Sequence, residues 1–183
     1  GLADVTVPEE TKVNAPGELD LEEQFYTLAY FPEDGFNPYL CTSINNRMLF
    51  SLIYQGLFSV DRDSQAHPIL CKSFTVSADL TQYTFHLESA TFSDGSYLRA
   101  EDVIASLECA RDSDIYAGRF DQIESFYAVG ENAVRIDTDI PYENLPLLLD
   151  IPIVKASQLE ETMPVGTGPY ALLQTASGLN LQK

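Results

Sequence analysis

The stretch TFSDGSYLRAEDVIAS at positions 91–106 joins a tight turn to the start of a helix. Asp94-Gly95 is a dipeptide typical of turns. Glu101 and Asp102 would stand in the first helical turn, where the positive end of the helix dipole favours acidic groups. Apolar residues follow at helical spacing: Val103, Ile104 and Leu107. The pattern predicts a helix over residues 100–111.

Two β-hairpins are predicted on either side of this helix. Residues 83–87 alternate apolar and polar side chains, so one face of this strand would be buried and the other exposed to water. The segment 77–80 connects them to an earlier β-prone run at 74–76. After the helix, residues 126–129 and 133–138 flank a Gly-Glu-Asn turn and indicate the second hairpin.

Closer to the N-terminus, a strand is predicted to precede a second helix. Residues 25–31 are rich in aromatic and β-branched side chains, and Pro32 ends the run. Ser43 is a candidate N-cap, and Gly56 is a candidate stop signal. The apolar residues of this stretch follow helical spacing: Ile44, Met48, Leu49, Leu52, Ile53 and Leu57. We expect one continuous helix here.

The C-terminal third predicts short elements. Residues 142–149 fit a short helix with Pro146 in its first turn, and residues 151–154 fit a strand. A third hairpin is expected between residues 169–174 and 179–182. The order of elements is therefore mixed α and β, with largely antiparallel sheets in the middle of the chain.

The first 24 residues differ in composition from the rest. They contain seven acidic side chains, two prolines and no sustained apolar periodicity. This composition is typical of a flexible polar leader, and we expect residues 1–24 to form one.

Charge and composition exclude several function classes. The 183 residues include 28 acidic and 10 basic side chains, a formal net charge of −18, which would repel polyphosphate backbones and anionic lipid headgroups. No stretch approaches the roughly 20 apolar residues of a membrane span. Cys41, Cys71 and Cys109 match neither a zinc ligand set nor a redox pair, so we expect buried structural thiols. Nucleic-acid binding is not expected.

The sequence carries no recognisable catalytic or cofactor motif. Nucleophile elbows, phosphate-binding glycine loops and zinc-protease signatures are absent from it. His67 and His86 are distant in sequence, and His86 falls on the polar face of its predicted strand. Acidic pairs such as Glu160-Glu161 are adjacent, but nothing places them across a cleft. We expect no catalytic residue, no metal site and no cofactor.

The segment Gly166-Thr167-Gly168-Pro169-Tyr170 is the densest local signal. Its glycines permit positive φ angles or close backbone approach, and Pro169 constrains the entry to a strand. It fits either a strained loop before an edge strand or backbone exposed at a ligand cleft.

Four segments together resemble the family 5 extracellular solute-binding proteins, which include the dipeptide, oligopeptide and nickel receptors of ABC importers. They are LFSLIYQGLF at 49–58, YTFHL at 83–87, FSDGSYLRAEDV at 92–103 and GTGPY at 166–170. Their order matches the family pattern over residues 25–183. Two departures occur: Arg99 replaces the usual capping Thr, and Phe36-Asn37-Pro38 replaces the common Leu-Asp-Pro.

The resemblance implies a mixed α/β fold of the type II periplasmic-binding-protein class, with two lobes that close on a ligand. Residues 25–40 and 151–183 would be parts of the first lobe, and residues 41–150 a small extra α+β domain. The second lobe of the same protein would be missing from this chain.

The resemblance also implies a function. Such a protein captures peptides outside the cell, tethered by a lipid to the outer face of the membrane, and delivers them to an ABC permease. The resemblance leaves open a receptor for nickel chelates or another small solute, and from another class a hydrolase domain on a similar scaffold. The implied ligand-binding residues are Glu33, Asp34, Phe36, Asn37, Tyr116, Phe120, Thr167 and Gly168. The alternative for Glu33 and Asp34 is an ordinary solvated turn. The alternative for Tyr116 and Phe120 is packing in the core.

Overall fold

The computed structural model describes residues 3–8, 25–176 and 178–183. Part of the predicted leader is ordered structure, because Ala3–Pro8 forms strand β1. β1 pairs antiparallel with β2, Phe25–Tyr30, along its whole length and parallel with β10, Gly178–Gln182. The prediction was wrong for these residues because strand partners distant in the chain do not alter local composition. Residues 9–24 lie outside the described residues.

The first sheet brings the two ends of the chain together. Its strand order is β2-β1-β10-β9, where β9 is Ala171–Thr175. β9 and β10 form the antiparallel hairpin predicted near the C-terminus, and β2 matches the strand predicted after the leader.

The second sheet is antiparallel throughout and has the order β5-β6-β8-β7. Its strands are Cys71–Val76 (β5), Gln82–Leu87 (β6), Ile123–Ala128 (β7) and Ala133–Thr138 (β8). Tyr83, Phe85 and Leu87 are buried, as their alternation predicts. Both predicted hairpins are confirmed. A separate two-stranded sheet contains β3, Phe58–Val60, and β4, Ala66–Pro68.

The helix predicted after Ser43 is two short helices instead. α1 spans Ile44–Arg47 and α2 spans Phe50–Ile53, with a turn at positions 48 and 49. Ser43 does cap α1, because its hydroxyl accepts a hydrogen bond from the Asn46 N–H at 3.4 Å. The apolar spacing predicted one helix because it reflects the periodicity of the side chains and does not reveal the turn at positions 48 and 49.

Helix α3, Ala100–Arg111, has the predicted bounds. It packs against β7 and β8. Its start is held although Arg99 replaces a capping Thr: the Asp102 carboxylate accepts from the Arg99 N–H at 2.9 Å, and the Ala100 N–H donates to the Glu131 carbonyl. The second of these bonds satisfies an N–H group that a helix leaves without an internal partner in its first turn.

The segments between residues 142 and 158 are less regular than predicted. Residues 145–148 form a short 3-10 helix with Pro146 in its first turn. Residues 151–154 do not form a strand. Their backbone makes isolated hydrogen bonds to separate segments instead of pairing with a neighbouring strand. The Ile153 N–H donates to the Gln55 carbonyl, and the Val154 N–H donates to the Ser106 hydroxyl. Further 3-10 turns span Pro32–Asp34, Ala117–Phe120 and Ala156–Gln158.

One hydrophobic cluster runs through both predicted parts of the chain, from Tyr30 and Leu179 near the first sheet to Phe85 and Val134 in the second. The division at residues 40 and 150 therefore remains a prediction. Cys41 and Cys71 are buried and Cys109 is half-buried, and all three are free thiols, as expected. Within the described residues, none of the helices combines the length and the apolar character needed to cross a membrane.

Candidate ligand-binding surface

The loop after β2 is held by a buried amide on α1. The Asn46 side chain, fully buried, donates to the carbonyls of Phe31 and Gly35 at 2.8 and 2.7 Å. Its oxygen accepts from the Phe31 N–H at 2.7 Å. Because a buried amide is stable only when it is hydrogen-bonded, these three bonds fix the loop and α1 relative to each other.

The Phe36 and Asn37 side chains are buried, with exposed fractions of 0% and 1%. The Asn37 amide donates to the carbonyls of Leu159 and Glu161 at 2.7 and 2.8 Å. The Tyr54 hydroxyl donates to the Phe36 carbonyl at 2.8 Å. Phe36 is therefore core and Asn37 already holds a neighbouring turn, and a ligand contact through these two side chains stays a prediction.

Asp34 points towards the start of α1. Its carboxylate accepts hydrogen bonds from the Cys41 thiol at 3.0 Å, the Thr42 hydroxyl at 3.2 Å and the Ser43 N–H. These bonds, led by that of Cys41, lower the pKa of Asp34 below its ordinary value. Burial and the adjacent carboxylate raise the pKa of Cys41 to about 12. Asp34 therefore acts as an ionised brace between the loop and α1, whereas Glu33 next to it is exposed.

Three apolar side chains in α1 or close to it in the chain are exposed to solvent. Leu40, Ile44 and Met48 are 63%, 76% and 74% exposed and are spaced four residues apart. Contiguous exposed apolar side chains on a folded protein commonly mark a contact site. We call these three residues, together with Arg47, the α1 surface. The sequence interpretation did not point to it, because helical spacing alone does not show which apolar residues stay exposed.

Arg47 lies against two aromatic rings. Its guanidinium carbon is 6.0 Å from the ring centroids of both Phe50 and Tyr116. The guanidinium of Arg119 lies 5.8 Å from the Tyr116 ring and pairs with Asp150. The structure thus brings predicted site residue Tyr116 to the α1 surface, through Arg47.

Tyr116 and Phe120 themselves are largely buried, with exposed fractions of 7% and 8%. The Tyr116 ring packs edge-on against Tyr39 at 6.1 Å, and Phe120 packs against Phe126 at 5.8 Å. Burial raises the pKa of Tyr116, so its hydroxyl stays protonated. The core-packing alternative describes both side chains better than an open side-chain pocket does.

The glycines of the 166–170 segment permit close backbone approach. The Gly168 N–H donates to the Ile53 carbonyl at 2.8 Å and the Tyr170 N–H to the Leu52 carbonyl at 2.9 Å. A Cβ atom at Gly168 would lie 2.5 Å from the Ile53 carbonyl carbon. The segment therefore caps the end of α2, and its glycines do not adopt positive φ angles.

Thr167, between these glycines, has an unusual hydroxyl. Its Oγ1 is buried and has no hydrogen-bond partner within the described part of the chain. Thr167 and Gly168 lie beside α2, whereas Asp34 and Tyr116 contact residues of α1 or its N-terminal flank. The predicted site residues thus border one short helical pair from two sides.

Comparison with known proteins identifies the family. The model of the bacterial extracellular solute-binding proteins, family 5 middle region, matches residues 65–179, which is more than half of the chain. This chain belongs to the family 5 extracellular solute-binding proteins. The glutathione-binding protein GsiB of Escherichia coli K12 is 30% identical over 149 residues, which cover 74% of this chain and 29% of GsiB.

Solved structures of other solute-binding proteins share this fold. AgaA of A. tumefaciens R10, in complex with agropinic acid, superposes with a TM-score of 0.69 at 26% identity over 81% of this chain and 33% of AgaA. NikA of Brucella suis, in complex with Fe(III)-EDTA, gives 0.67 at 26% identity over 81% of this chain and 36% of NikA. The fold is therefore the mixed α/β fold of periplasmic binding proteins, and the chain spans about a third of its relatives' length. These relatives are binding proteins, and none of them supports the hydrolase alternative.

Two polar residues on α3 serve the fold: Asp102, which belongs to the family motif, and Ser106, which follows the motif. The Ser106 hydroxyl, fully buried, donates to the Val154 carbonyl at 3.1 Å and accepts from the Val154 N–H at 3.0 Å. One turn earlier, the Asp102 carboxylate accepts from the Ala156 N–H at 2.8 Å. Asp94 of the same motif pairs with Lys155 at 2.7 Å. These side chains therefore anchor the backbone segment at residues 154–156 to α3 and to the turn at Asp94.

A concave region lies apart from these residues. A cavity of about 290 Å³ is lined by Lys72, Leu87, Glu88, Ser89, Ala90, Tyr97, Leu98, Arg99 and Asn132. It includes none of the predicted site residues, and its Arg99 already pairs with Glu131. Within the described residues no cluster of three or more potential metal ligands occurs. His67 pairs with Asp61, and His86 is exposed on β6, as its polar position predicts.

Proposed function

We propose that the protein containing this chain is the substrate-binding component of an ABC importer and captures small peptides. The observation that carries the proposal is the α1 surface, which is exposed and apolar in a strongly acidic member of a solute-binding family. It borders the braced loop at Asp34, so a ligand would meet a preformed surface. Preformed surfaces bind with a smaller loss of conformational entropy.

The predicted site residues have different roles in this proposal. Glu33 and Asp34 place negative charge beside the surface, and Thr167 and Gly168 contribute backbone and a buried hydroxyl near α2. The contact area would come from the α1 surface. A second lobe of the same protein would cover the ligand from the other side, so ligand binding would stabilise the closed state.

The proposal also includes the location and the partner of the protein. It would work outside the cytoplasm, tethered by a lipid to the outer face of the membrane, and would present its loaded form to a membrane permease. Homologous family members are extracellular or periplasmic, which supports this location. Detergent partitioning of the native protein tests the lipid tether, because a lipidated protein enters the detergent phase.

A metal chelate is the second candidate ligand. It is favoured by the likeness to NikA, whose structure holds Fe(III)-EDTA, and to the nickel ABC transporter protein of Bacillus halodurans, at 27% identity and a TM-score of 0.65 over 82% of this chain and 32% of that one. In this case the receptor would bind nickel only together with an organic chelator.

Calorimetry on the full-length gene product, here called the receptor, distinguishes the two candidates. We expect binding of di- to pentapeptides and at least tenfold weaker binding of nickel with histidine. Replacing Ile44 and Met48 by Gln should weaken peptide binding about tenfold, since each side chain would lose its apolar contact. Ile140→Gln is the matched control, because Ile140 is 52% exposed elsewhere.

Three results would contradict the proposal. Absence of peptide binding at millimolar concentration would exclude peptides, and tighter binding of the nickel chelate would favour the second candidate. Equal affinity of the Ile44/Met48 variant and the parent receptor would place the ligand away from the α1 surface.

A further inference from the structure

Arg47 differs from the other arginines of this chain. The guanidinium groups of Arg99, Arg111, Arg119 and Arg135 each lie within 3.5 Å of a carboxylate. Arg62 is exposed in a turn. Arg47 is half-buried, and no carboxylate in the described part of the chain lies within ion-pair distance of it. This is unexpected in a chain with 28 acidic and only 10 basic residues.

The contacts of the Arg47 guanidinium leave its N–H groups able to bind an anion. Two aromatic rings, Phe50 and Tyr116, hold its guanidinium by cation–π contact, and this contact does not replace the hydrogen bonds of its N–H groups. Arg119 adds a second positive group beside the same tyrosine ring, and the single carboxylate of Asp150 pairs with it. Within the described residues, Asp150 therefore pairs with Arg119 and leaves the Arg47 guanidinium without a carboxylate partner.

The neighbours of Arg47 on the α1 surface are apolar. Ile44 precedes it by one helical turn and Met48 follows it directly, and both are about three-quarters exposed. A partner that satisfies Arg47 and covers these side chains needs a carboxylate next to an apolar group. An inorganic anion would supply only the first of these.

We propose that Arg47 binds a carboxylate of the captured solute, so that this receptor selects organic acids, such as peptides with a free carboxylate, over uncharged solutes. The inference rests on the proposed function. A carboxylate forms two parallel hydrogen bonds with a guanidinium. The positive charge of Arg47 offsets the free-energy cost of removing the carboxylate from water. The apolar part of the solute would cover Ile44 and Met48.

Arginine side-chain NMR on the receptor tests the contact directly. The probes are glutathione, glutathione diethyl ester and inorganic phosphate, each titrated to about 20 mM, a range that includes a millimolar dissociation constant. We expect the Arg47 Nε–Hε signal to shift saturably with glutathione only. Arg135 is the matched internal control, because it lies 6.0 Å from the Tyr127 ring but already bonds Asp137 at 2.8 Å.

The same probes in calorimetry separate this inference from the proposed function. Arg47→Gln should weaken glutathione binding roughly tenfold or more and leave binding of the diester unchanged, because it removes a charge-assisted hydrogen-bond pair. Arg47→Lys should restore only part of the affinity, and Arg135→Gln should have no effect.

Several results would overturn the inference. An Arg47 signal that moves no more than that of Arg135, or that moves equally with the diester or with phosphate, would assign Arg47 to packing or to general anion attraction. If the Arg47→Gln variant bound peptides as tightly as the parent receptor, the proposed function would stand, but the inference that Arg47 binds the carboxylate of the solute would be wrong.

Discussion

Helices α1 and α3 place their side chains in opposite ways. α3 buries the apolar Val103 and Leu107 together with the polar Asp102 and Ser106, whose bonds anchor residues 154–156. α1 buries a polar residue, Asn46, and exposes an apolar one, Ile44. Both inward arrangements serve the fold because each buried polar group is hydrogen-bonded. The apolar Ile44 side chain is left exposed, and the proposed ligand contact uses this exposed side of α1.

The largest effect on stability is expected at Gly168, where backbone packs on backbone. Gly168→Val would place a Cβ 2.5 Å from the Ile53 carbonyl carbon, so the 166–170 segment must move away from α2. We expect a loss of at least about 3 kcal/mol in the free energy of unfolding, measured by urea denaturation. Gly118→Ala is the control, because a Cβ there meets no atom within 4 Å. Similar midpoints for the two variants would contradict the close approach.

Ser106→Ala should have the next largest effect. It would leave the Val154 N–H and carbonyl without their buried partner, and we expect a loss of about 2 kcal/mol by the same measurement. Ser51→Ala on α2 is the matched control, since Ser51 is exposed. Equal losses of stability from the two substitutions would contradict the structural role assigned to the buried Ser106 hydroxyl.

The Asp94–Lys155 pair should contribute a smaller, pH-dependent stabilisation. The hydrogen bond from Lys155 lowers the pKa of Asp94 to about 2, below its unfolded value of 3.8. A lowered folded pKa means that the contribution is present above pH 4 and is lost as the pH falls towards 2. We expect Asp94→Asn to cost about 1 kcal/mol at pH 7, a value reduced by partial exposure, and almost nothing at about pH 2.

Denaturation of the parent and the Asp94 variant at about pH 7, 4 and 2 measures this difference. Asp114→Asn is the control, because Asp114 is exposed and belongs to none of the ion pairs within the described residues. A stability difference between the Asp94 variant and the parent that does not change over this pH range would contradict the assigned pairing.

The smallest effect on stability is expected on the α1 surface. Ile44→Gln and Met48→Gln should each change the free energy of unfolding by less than about 0.5 kcal/mol, because both side chains are already exposed. Leu49→Ala, which truncates a neighbouring buried side chain, should cost about 3 kcal/mol. Large losses at Ile44 or Met48 would mean that the exposed face supports the fold after all.

The candidate site was only partly predictable from the sequence. Turn residues around Asp34 and the glycines Gly166 and Gly168 leave a local signal, and the site predictions in both segments were made from this signal and from the family resemblance. Arg47 carries no such signal, since neither its aromatic neighbours nor the absence of a carboxylate beside it within the described residues can be read from adjacent positions. Phe36 and Tyr116 were predicted to contact a ligand, and the structure buries both side chains, Phe36 against Tyr30 and Tyr116 against Tyr39.

Local sequence was enough to define the hairpins β5–β6 and β7–β8 and the bounds of α3, because alternation, turn residues and helical spacing act between neighbours in the chain. Long-range packing alone decided that β1 joins a sheet, that the helix after Ser43 divides in two, and that residues 151–154 form no strand. The physical reason is the same in each case. These outcomes depend on hydrogen-bond partners and packing surfaces that lie far away in sequence and meet only in the folded chain.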